Sequence, residues 1–193
     1  QEPLHLPLYT AILDTIALPP GSTLLDGGCG AGMLSLLAAE RGLTVTGLDV
    51  SESFLDFARR RAPAVTFVIG DLQTLPFETD SFDAIVGCNS FQFVPNPNLA
   101  VREAARVLHS GGCFVLAVFD APEKCEGASP INAILSLLPS LGADTPGPFV
   151  LSNEEKLETL ISGSGFAVDG VYRVDTPWRY PDRETALRAF MSA

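Results

Sequence analysis

The sequence predicts an α/β fold: a doubly wound, mostly parallel sheet flanked by helices. Three observations predict it. Short apolar runs alternate with helical segments along the first 120 residues, and strands separated by crossovers of about a dozen residues pair in parallel. The run Phe114-Val115-Leu116-Ala117-Val118-Phe119 is apolar throughout, as suits a strand covered on both faces. The first apolar run leads into a glycine cluster that opens a helix, Gly27-Gly28-Cys29-Gly30-Ala31-Gly32.

The elements follow in order. A helix is expected from about Leu8 to Leu18, ended by Pro19-Pro20-Gly21, which a helix does not cross easily. Thr23 to Asp26 is the first strand, and Met33 to Arg41 the helix beyond the glycine cluster. Leu43 to Val50 is the second strand. Ser51 caps a helix that runs to about Ala62. Ala64 to Ile69 and Phe82 to Cys88 are the third and fourth strands. Asn98 to Leu108 is an amphipathic helix closed by His109-Ser110-Gly111-Gly112, and Cys113 to Phe119 is the fifth strand. After Asp120 the alternation stops. Pro122 to Pro148 holds one helical patch, Ile131 to Leu138, and so long a stretch without a βα unit reads as a linker or a functional cover. Glu154 to Ile161 is expected to be helical, Phe166 to Val174 to form a sixth strand, and Glu184 to Met191 a final helix.

Composition narrows the function. Lysine and arginine number 12 against 23 acidic residues, a net charge of −11. Nucleic-acid binding by charge needs the opposite balance, and so does adhesion to an anionic bilayer. No window approaches the roughly 18 apolar residues of a membrane span. Gln1 to Leu8 lacks the basic end and apolar stretch of a secretory signal. Cys29, Cys88, Cys113 and Cys125 lie far apart, and His5 and His109 are separate from them, so no metal site is expected. Free thiols fit a cytoplasmic protein. Residues 1–193 read as a single domain, with cover elements at about 1–20 and 121–150.

In an open α/β sheet, ligands bind beyond the carboxyl ends of the strands, where the connectivity reverses. Strand one ends in Asp26 and the glycines, which permit close approach of main chain to a ligand. Strand two ends in Asp49, 21 residues after Gly28, about the interval at which an acid meets a ribose. Strand three ends in Gly70-Asp71-Leu72, and strand four in Cys88-Asn89-Ser90. Singly these features are ordinary. A glycine-rich turn is often only a turn, and an Asp at a strand end is commonly a helix cap. Four polar strand ends together point to one ligand.

The chain resembles the class I S-adenosylmethionine-dependent methyltransferases, above all the ubiquinone/menaquinone-biosynthesis type that acts on small molecules. The resemblance rests on Leu24 to Gly32, on Gly47-Leu48-Asp49-Val50-Ser51 and on Gly70-Asp71-Leu72-Gln73-Thr74-Leu75-Pro76-Phe77. It continues through Ser81-Phe82-Asp83-Ala84-Ile85-Val86 and Arg102 to Gly112. It implies a Rossmann-like fold, S-adenosylmethionine as cofactor and S-adenosylhomocysteine as product. It also implies roles. Asp26 and the backbone at Gly28, Cys29 and Gly30 would border the methionine part, and Asp49 would accept from both ribose hydroxyls. Val50 would lie on the adenine face. Asp71 would accept from the adenine amino group, the Leu72 N–H would meet a ring nitrogen, and Asn89 would face the methionine amino group. Tyr9 would reach toward the methionine carboxylate.

Gly27 and His109-Ser110 depart from the family pattern. The usual closing hairpin of strands six and seven also lacks its second strand here. The acceptor would be a small molecule, apolar or aromatic if Phe91, Phe93 and the 131–138 patch line its site. No spacing identifies a general base among His5, Tyr9 and Glu126, so no catalytic residue is assigned. Two alternative functions remain. One is a module that binds S-adenosylmethionine without catalysis. The other is a nicotinamide-dependent oxidoreductase, disfavoured by Met33 where a third glycine is wanted.

Overall fold

Five parallel strands form one sheet in the order β3-β2-β1-β4-β5. They are β1 (Thr23–Gly27), β2 (Thr44–Asp49), β3 (Thr66–Ile69), β4 (Phe82–Cys88) and β5 (Leu108–Ala117). The structure, a computed structural model, describes residues 2–125, 146–177 and 180–185. The helices are α1 (Leu6–Ile16), α2 (Met33–Glu40), α3 (Glu52–Arg61), α4 (Pro97–Val107) and α5 (Glu154–Ser162). The chain winds outward from β1 to β3, then returns to the other side of β1 for β4 and β5. The reversal therefore lies between β1 and β4, where a crevice opens at the strands' carboxyl ends.

Alternating side chains divide the core in two. On one face Leu24, Val45, Ala84 and Val86 pack with Ile12, Leu13 and Ile16 of α1 and with Leu34 and Ala38 of α2. On the other, Leu25, Leu48 and Ile85 pack with Ala100, Val101, Ala104 and Val107 of α4 and Leu160 of α5. The doubly wound class follows from this, since a strand buried on both faces needs apolar residues at odd and even positions. Thr23 and Asp83 lock β1 to β4: Asp83 Oδ2 accepts from Thr23 N (2.8 Å) and Oγ1 (2.9 Å), while Thr23 Oγ1 accepts from Asp83 N (3.0 Å).

Caps set the helix starts. Ser51 Oγ accepts from Phe54 N, as its place in the sequence predicts. Asn96 Oδ1 accepts from Leu99 N at the start of α4 (3.3 Å). Asn96→Ala is expected to cost about 1 kcal/mol and to lower the Tm by about 2–4 °C, read by thermal unfolding. Within α4, Glu103 and Arg106 grip the segment after β3. Glu103 accepts from Leu75 N (2.9 Å), and Arg106 donates to the carbonyls of Phe77 (2.8 Å) and Leu75 (3.1 Å). The Arg106 guanidinium holds the Glu103 carboxyl below its usual range.

Two expectations are corrected. His109 to Gly112 do not close α4 as a turn; they belong to β5 as a bulge. Phe82 pairs with Leu108 and Ala84 with Cys113, so β5 accommodates extra residues against β4. Gly111, at φ +81°, supplies the backbone freedom that such a bulge uses. Phe166 to Val174 forms no strand. Phe166 packs at a tilt against Phe114, but Val168, Val171 and Tyr172 face solvent, Tyr172 at 73% exposure. Arg173 is drawn instead to Asp120 (3.2 Å) and Glu154 (2.7 Å). Alternation makes a strand only where a ladder partner satisfies the backbone. The expected helical patch 131–138 and most of the helix 184–191 fall outside the described residues. Among the described residues no helix is long and apolar enough to cross a membrane.

Candidate functional site

The glycine turn is held from below. Gly28 N and Cys29 N both donate to Leu48 O, at 2.7 and 3.0 Å, and Gly32 N donates to Cys29 O at 2.9 Å. Gly30 N donates to Asp49 Oδ2 at 2.9 Å. The N–H groups at Gly28, Cys29 and Gly30 are thus engaged within the protein. What the turn offers a ligand is close approach over bare α-carbons. Gly30 has nothing within 4 Å of the position a Cβ would take. Gly28, at φ +77°, has no such room, since a Cβ there would meet Ser90 Cβ at 2.3 Å. That contact, with Ser90 Oγ donating to Gly27 O (2.6 Å), joins the ends of β1 and β4. Gly27 is small for a reason of its own: Leu72 and Phe91 occupy the space over it.

Asp49 is the hub of the site. Its Oδ1 accepts from Ser51 N (2.9 Å) and its Oδ2 from Gly30 N (2.9 Å). A carboxylate has about four lone-pair directions, so two remain for a ligand. Beside it Val50 leaves β2 with 69% of its surface exposed. On the neighbouring strand, Gly70 N donates to Asp49 O (3.0 Å), which brings Asp71 to the same edge of the sheet. Asp71 is exposed, and its Oδ1 accepts from Gln73 N (2.8 Å). The Leu72 side chain is buried against the glycine turn. Across the crevice, Asn89 takes the left-handed conformation (φ +52°) as β4 ends, with its N–H donating to Ala117 O (2.9 Å).

The structure therefore lines up Asp71, Asp49, Gly28–Gly30 and Asn89 in the order of their strands. At about 4.8 Å per strand this row runs about 14 Å. Asp26 does not face it. The Asp26 side chain is 2% exposed and accepts from Ser35 Oγ of α2 at 2.5 Å. Burial lifts its carboxyl to about 6, against the pull of the Ser35 hydroxyl and with a push from the Asp49 charge. Cys29 and Cys88 are pushed up as well, first by burial and then by the Asp26 charge, Cys88 to about 12. Both thiols therefore stay protonated at neutral pH and are poor nucleophiles.

Tyr9 stacks on His5 at 6.0 Å and packs with the α1 cluster. Phe93 is exposed, whereas Phe91 is core, seated against Phe114 (5.4 Å) and not free to line a cavity. Ser35 and Gln92 are not among the residues that the sequence marks, and Ser90 is marked there only as part of the polar end of the fourth strand. A serine in the first turn of the otherwise apolar α2 was the available sign for Ser35; a polar residue within Phe91-Gln92-Phe93 was the sign for Gln92.

Residues 25–116 match the family model described as a methyltransferase domain. The chain is 37% identical over 111 residues to a demethylmenaquinone methyltransferase of Renibacterium salmoninarum, covering 58% of this chain and 47% of that one. It is 32% identical over 147 residues to a ubiquinone biosynthesis O-methyltransferase of Coxiella burnetii, covering 72% and 63%. It thus spans about half to three-fifths of the length of these curated relatives. Phosphoethanolamine N-methyltransferase 2 of Haemonchus contortus, solved with S-adenosyl-L-methionine, superimposes with a TM-score of 0.63 at 23% identity, over 82% of this chain and 36% of that one, a likeness of fold. A reversal of connectivity between β1 and β4, a glycine turn beneath it and this match over β1 to β5 agree: over residues 25–116 the chain is similar to a methyltransferase domain.

Proposed function

We propose that this chain transfers a methyl group from S-adenosylmethionine to a small-molecule acceptor, leaving S-adenosylhomocysteine. The observation that carries the reading is the row of Asp71, Asp49, Gly28–Gly30 and Asn89 at the point where the sheet reverses. A sulfonium methyl is already activated for attack by an acceptor lone pair, with the S–CH3 electron pair returning to sulfur. The protein's own task is then to bind, orient and exclude water.

In this reading the two spare lone-pair directions of Asp49 accept the ribose hydroxyls, and exposed Val50 lies against the adenine. Asp71 accepts from the adenine amino group and Leu72 N–H meets a ring nitrogen. Gly28, Cys29 and Gly30 border the methionine part by close approach, and Asn89 meets its amino group. Asp26 supports the turn from beneath through Ser35. The relatives' names, demethylmenaquinone and ubiquinone-biosynthesis methyltransferases, favour an aromatic, lipophilic acceptor, with residues 1–20 and 121–150 as its cover. No general base is assigned; the protonated thiols of Cys29 and Cys88 do not supply one. A cytoplasmic setting belongs to the same reading.

Isothermal titration with S-adenosylmethionine and with NAD tests the cofactor class. Binding of NAD in place of S-adenosylmethionine would overturn it. A radiolabelled methyl donor offered with catechol and quinol acceptors then tests transfer; cofactor binding without transfer would favour a non-catalytic module. Asp71→Ala is expected to weaken S-adenosylmethionine by about threefold to tenfold, the worth of one partly solvated hydrogen bond.

A further inference from the structure

Gln73 follows Asp71 by two residues in the turn after β3, and the resemblance assigns it no role. The turn is closed by Thr74 N, which donates to Asp71 O at 3.0 Å. Within it Gln73 meets the Asp71 carboxylate from both main chain and side chain. Its N–H donates to Oδ1 at 2.8 Å, and its Nε2 donates to Oδ1 at 3.3 Å and to Oδ2 at 3.2 Å. The other end of the same carboxamide is tied as well: Oε1 accepts from Asn96 N at 3.0 Å. Asn96 is a firm anchor. Its side chain caps α4 through Leu99 N, and Pro95 and Pro97 flank it, each with φ fixed by its ring. One half-buried glutamine thus fastens the exposed carboxylate beyond β3 to the start of α4.

We infer that Gln73 is a positioning residue for nucleoside binding: it holds Asp71 rigid, with one lone-pair direction of Oδ2 left to accept the N–H of an exocyclic amino group on the base. This rests on the S-adenosylmethionine reading above and adds to it a residue that acts through Asp71 and not on the ligand itself. The count of lone pairs selects the oxygen. An ionised carboxylate has about four acceptor directions. Gln73 engages two on Oδ1 and one on Oδ2, so the fourth, on Oδ2, is left for a ligand. A single open acceptor takes one N–H bond, which an amino group supplies and a carbonyl does not.

The energetics favour the same assignment. Asp71 is exposed, and an exposed carboxylate without such ties samples several rotamers. Binding would then have to order it, at a cost in affinity. Gln73 orders it beforehand. Immobilising a glutamine is itself costly, because it has much rotamer freedom to lose, and hydrogen bonds open to solvent return little of that. A gain in stability is therefore a weak reason for the arrangement, and preorganisation of Asp71 a strong one. Neutrality matters too. A lysine at this position would form an ion pair with Asp71, whereas the amide orients the carboxylate and leaves its charge in place.

The test is a double-mutant cycle read by isothermal titration with S-adenosylhomocysteine. Gln73→Ala in the wild-type background is expected to weaken binding about threefold, part of the loss expected for Asp71→Ala. In an Asp71→Ala background the same substitution should change affinity by less than about 1.5-fold, because nothing remains for Gln73 to orient. Gln73→Glu separates positioning from structure. It keeps an oxygen for Asn96 N, so the Tm should stay close to wild type. Yet it cannot donate to Asp71 and sets a like charge beside it, so affinity should fall about threefold to tenfold. Equal losses from Gln73→Ala with and without Asp71 would overturn the proposal. So would a Gln73→Glu variant that binds within about twofold of wild type, the mark of a residue that only ties the turn to α4. The underlying reading fails by a separate result. A wild-type protein that does not bind, or an Asp71→Ala variant of unchanged affinity, would remove Asp71 from the base site and the proposal with it.

Discussion

Asp49→Ala is expected to weaken S-adenosylmethionine binding by more than tenfold, approaching a hundredfold. Hydrogen bonds to a charged group are worth about 1.5–3 kcal/mol each, and this carboxylate is assigned two ribose hydroxyls. It also orders the binding loop, because the same oxygens hold Gly30 N and Ser51 N. Loss of those tethers frees the glycine turn and adds an ordering cost to each binding event. Asp49→Asn is therefore the informative companion. It keeps one acceptor oxygen and should fall between wild type and alanine. Isothermal titration measures both. An unchanged dissociation constant in the alanine variant would remove Asp49 from the ribose site and with it the proposed orientation of the cofactor.

The second large effect concerns stability and pH. Asp26 is buried beneath the turn, and its carboxyl is raised from 3.8 to about 6, chiefly by desolvation. Between those values the folded protein holds a proton that the unfolded chain has released. Stability contributed at this site is thus highest below about pH 4, falls as pH rises toward 6 and levels off above it. At about 1.4 kcal/mol per unit, the loss across that window is about 3 kcal/mol. Asp26→Asn cannot ionise and still presents an oxygen to Ser35 Oγ. Relative to wild type it is expected to gain about 1–3 kcal/mol of stability at pH 7.5 and little at pH 4. Urea unfolding of both proteins at the two pH values checks it. A variant less stable than wild type at pH 7.5 would mean that ionised Asp26 is stabilised by groups other than Ser35.

The two carboxylates at the ends of β1 and β2 show how far sequence reading reaches. Both stood out as acids at the ends of apolar runs; the 21-residue interval from Gly28 marked Asp49 for a ribose, and nothing in the sequence marked Asp26 as buried. In the structure Asp26 turns inward to Ser35, and Asp49 turns to the edge of the sheet, where Gly30 and Ser51 meet it. The difference arises from α2, whose third residue supplies a hydroxyl beneath the turn. Phe91 and Phe93 divide in the same way. They are two residues apart in one apolar stretch, yet the helical turn sends one into the space over Gly27 and Gly87 and the other to solvent.

Elsewhere pattern and fold agree closely. β4 spans Phe82–Cys88 as its apolar run indicates, and β1 to β3 and the helices α1 to α5 lie where periodicity, caps and glycines place them. The failures are at the fifth strand's start and after α5. Gly111 and Gly112 resemble a turn in sequence because glycine's freedom serves turns and bulges alike. The alternation from Phe166 to Val174 resembles a strand because side-chain pattern records which faces are apolar, whereas a ladder needs a partner edge.

The sequence by itself determined the layered α/β class, the order of its strands and helices, and the polar residues at the strands' carboxyl ends. Those are properties of local periodicity and of residue chemistry at short range. Only the tertiary structure decided which carboxylate is buried and which lies at the edge of the sheet, what occupies the space over Gly27, and that Gln92 keeps an unsatisfied oxygen beside Asn89. Each of these depends on atoms brought together from separate strands and helices, and a hydrogen bond or a desolvated charge exists only once those atoms meet.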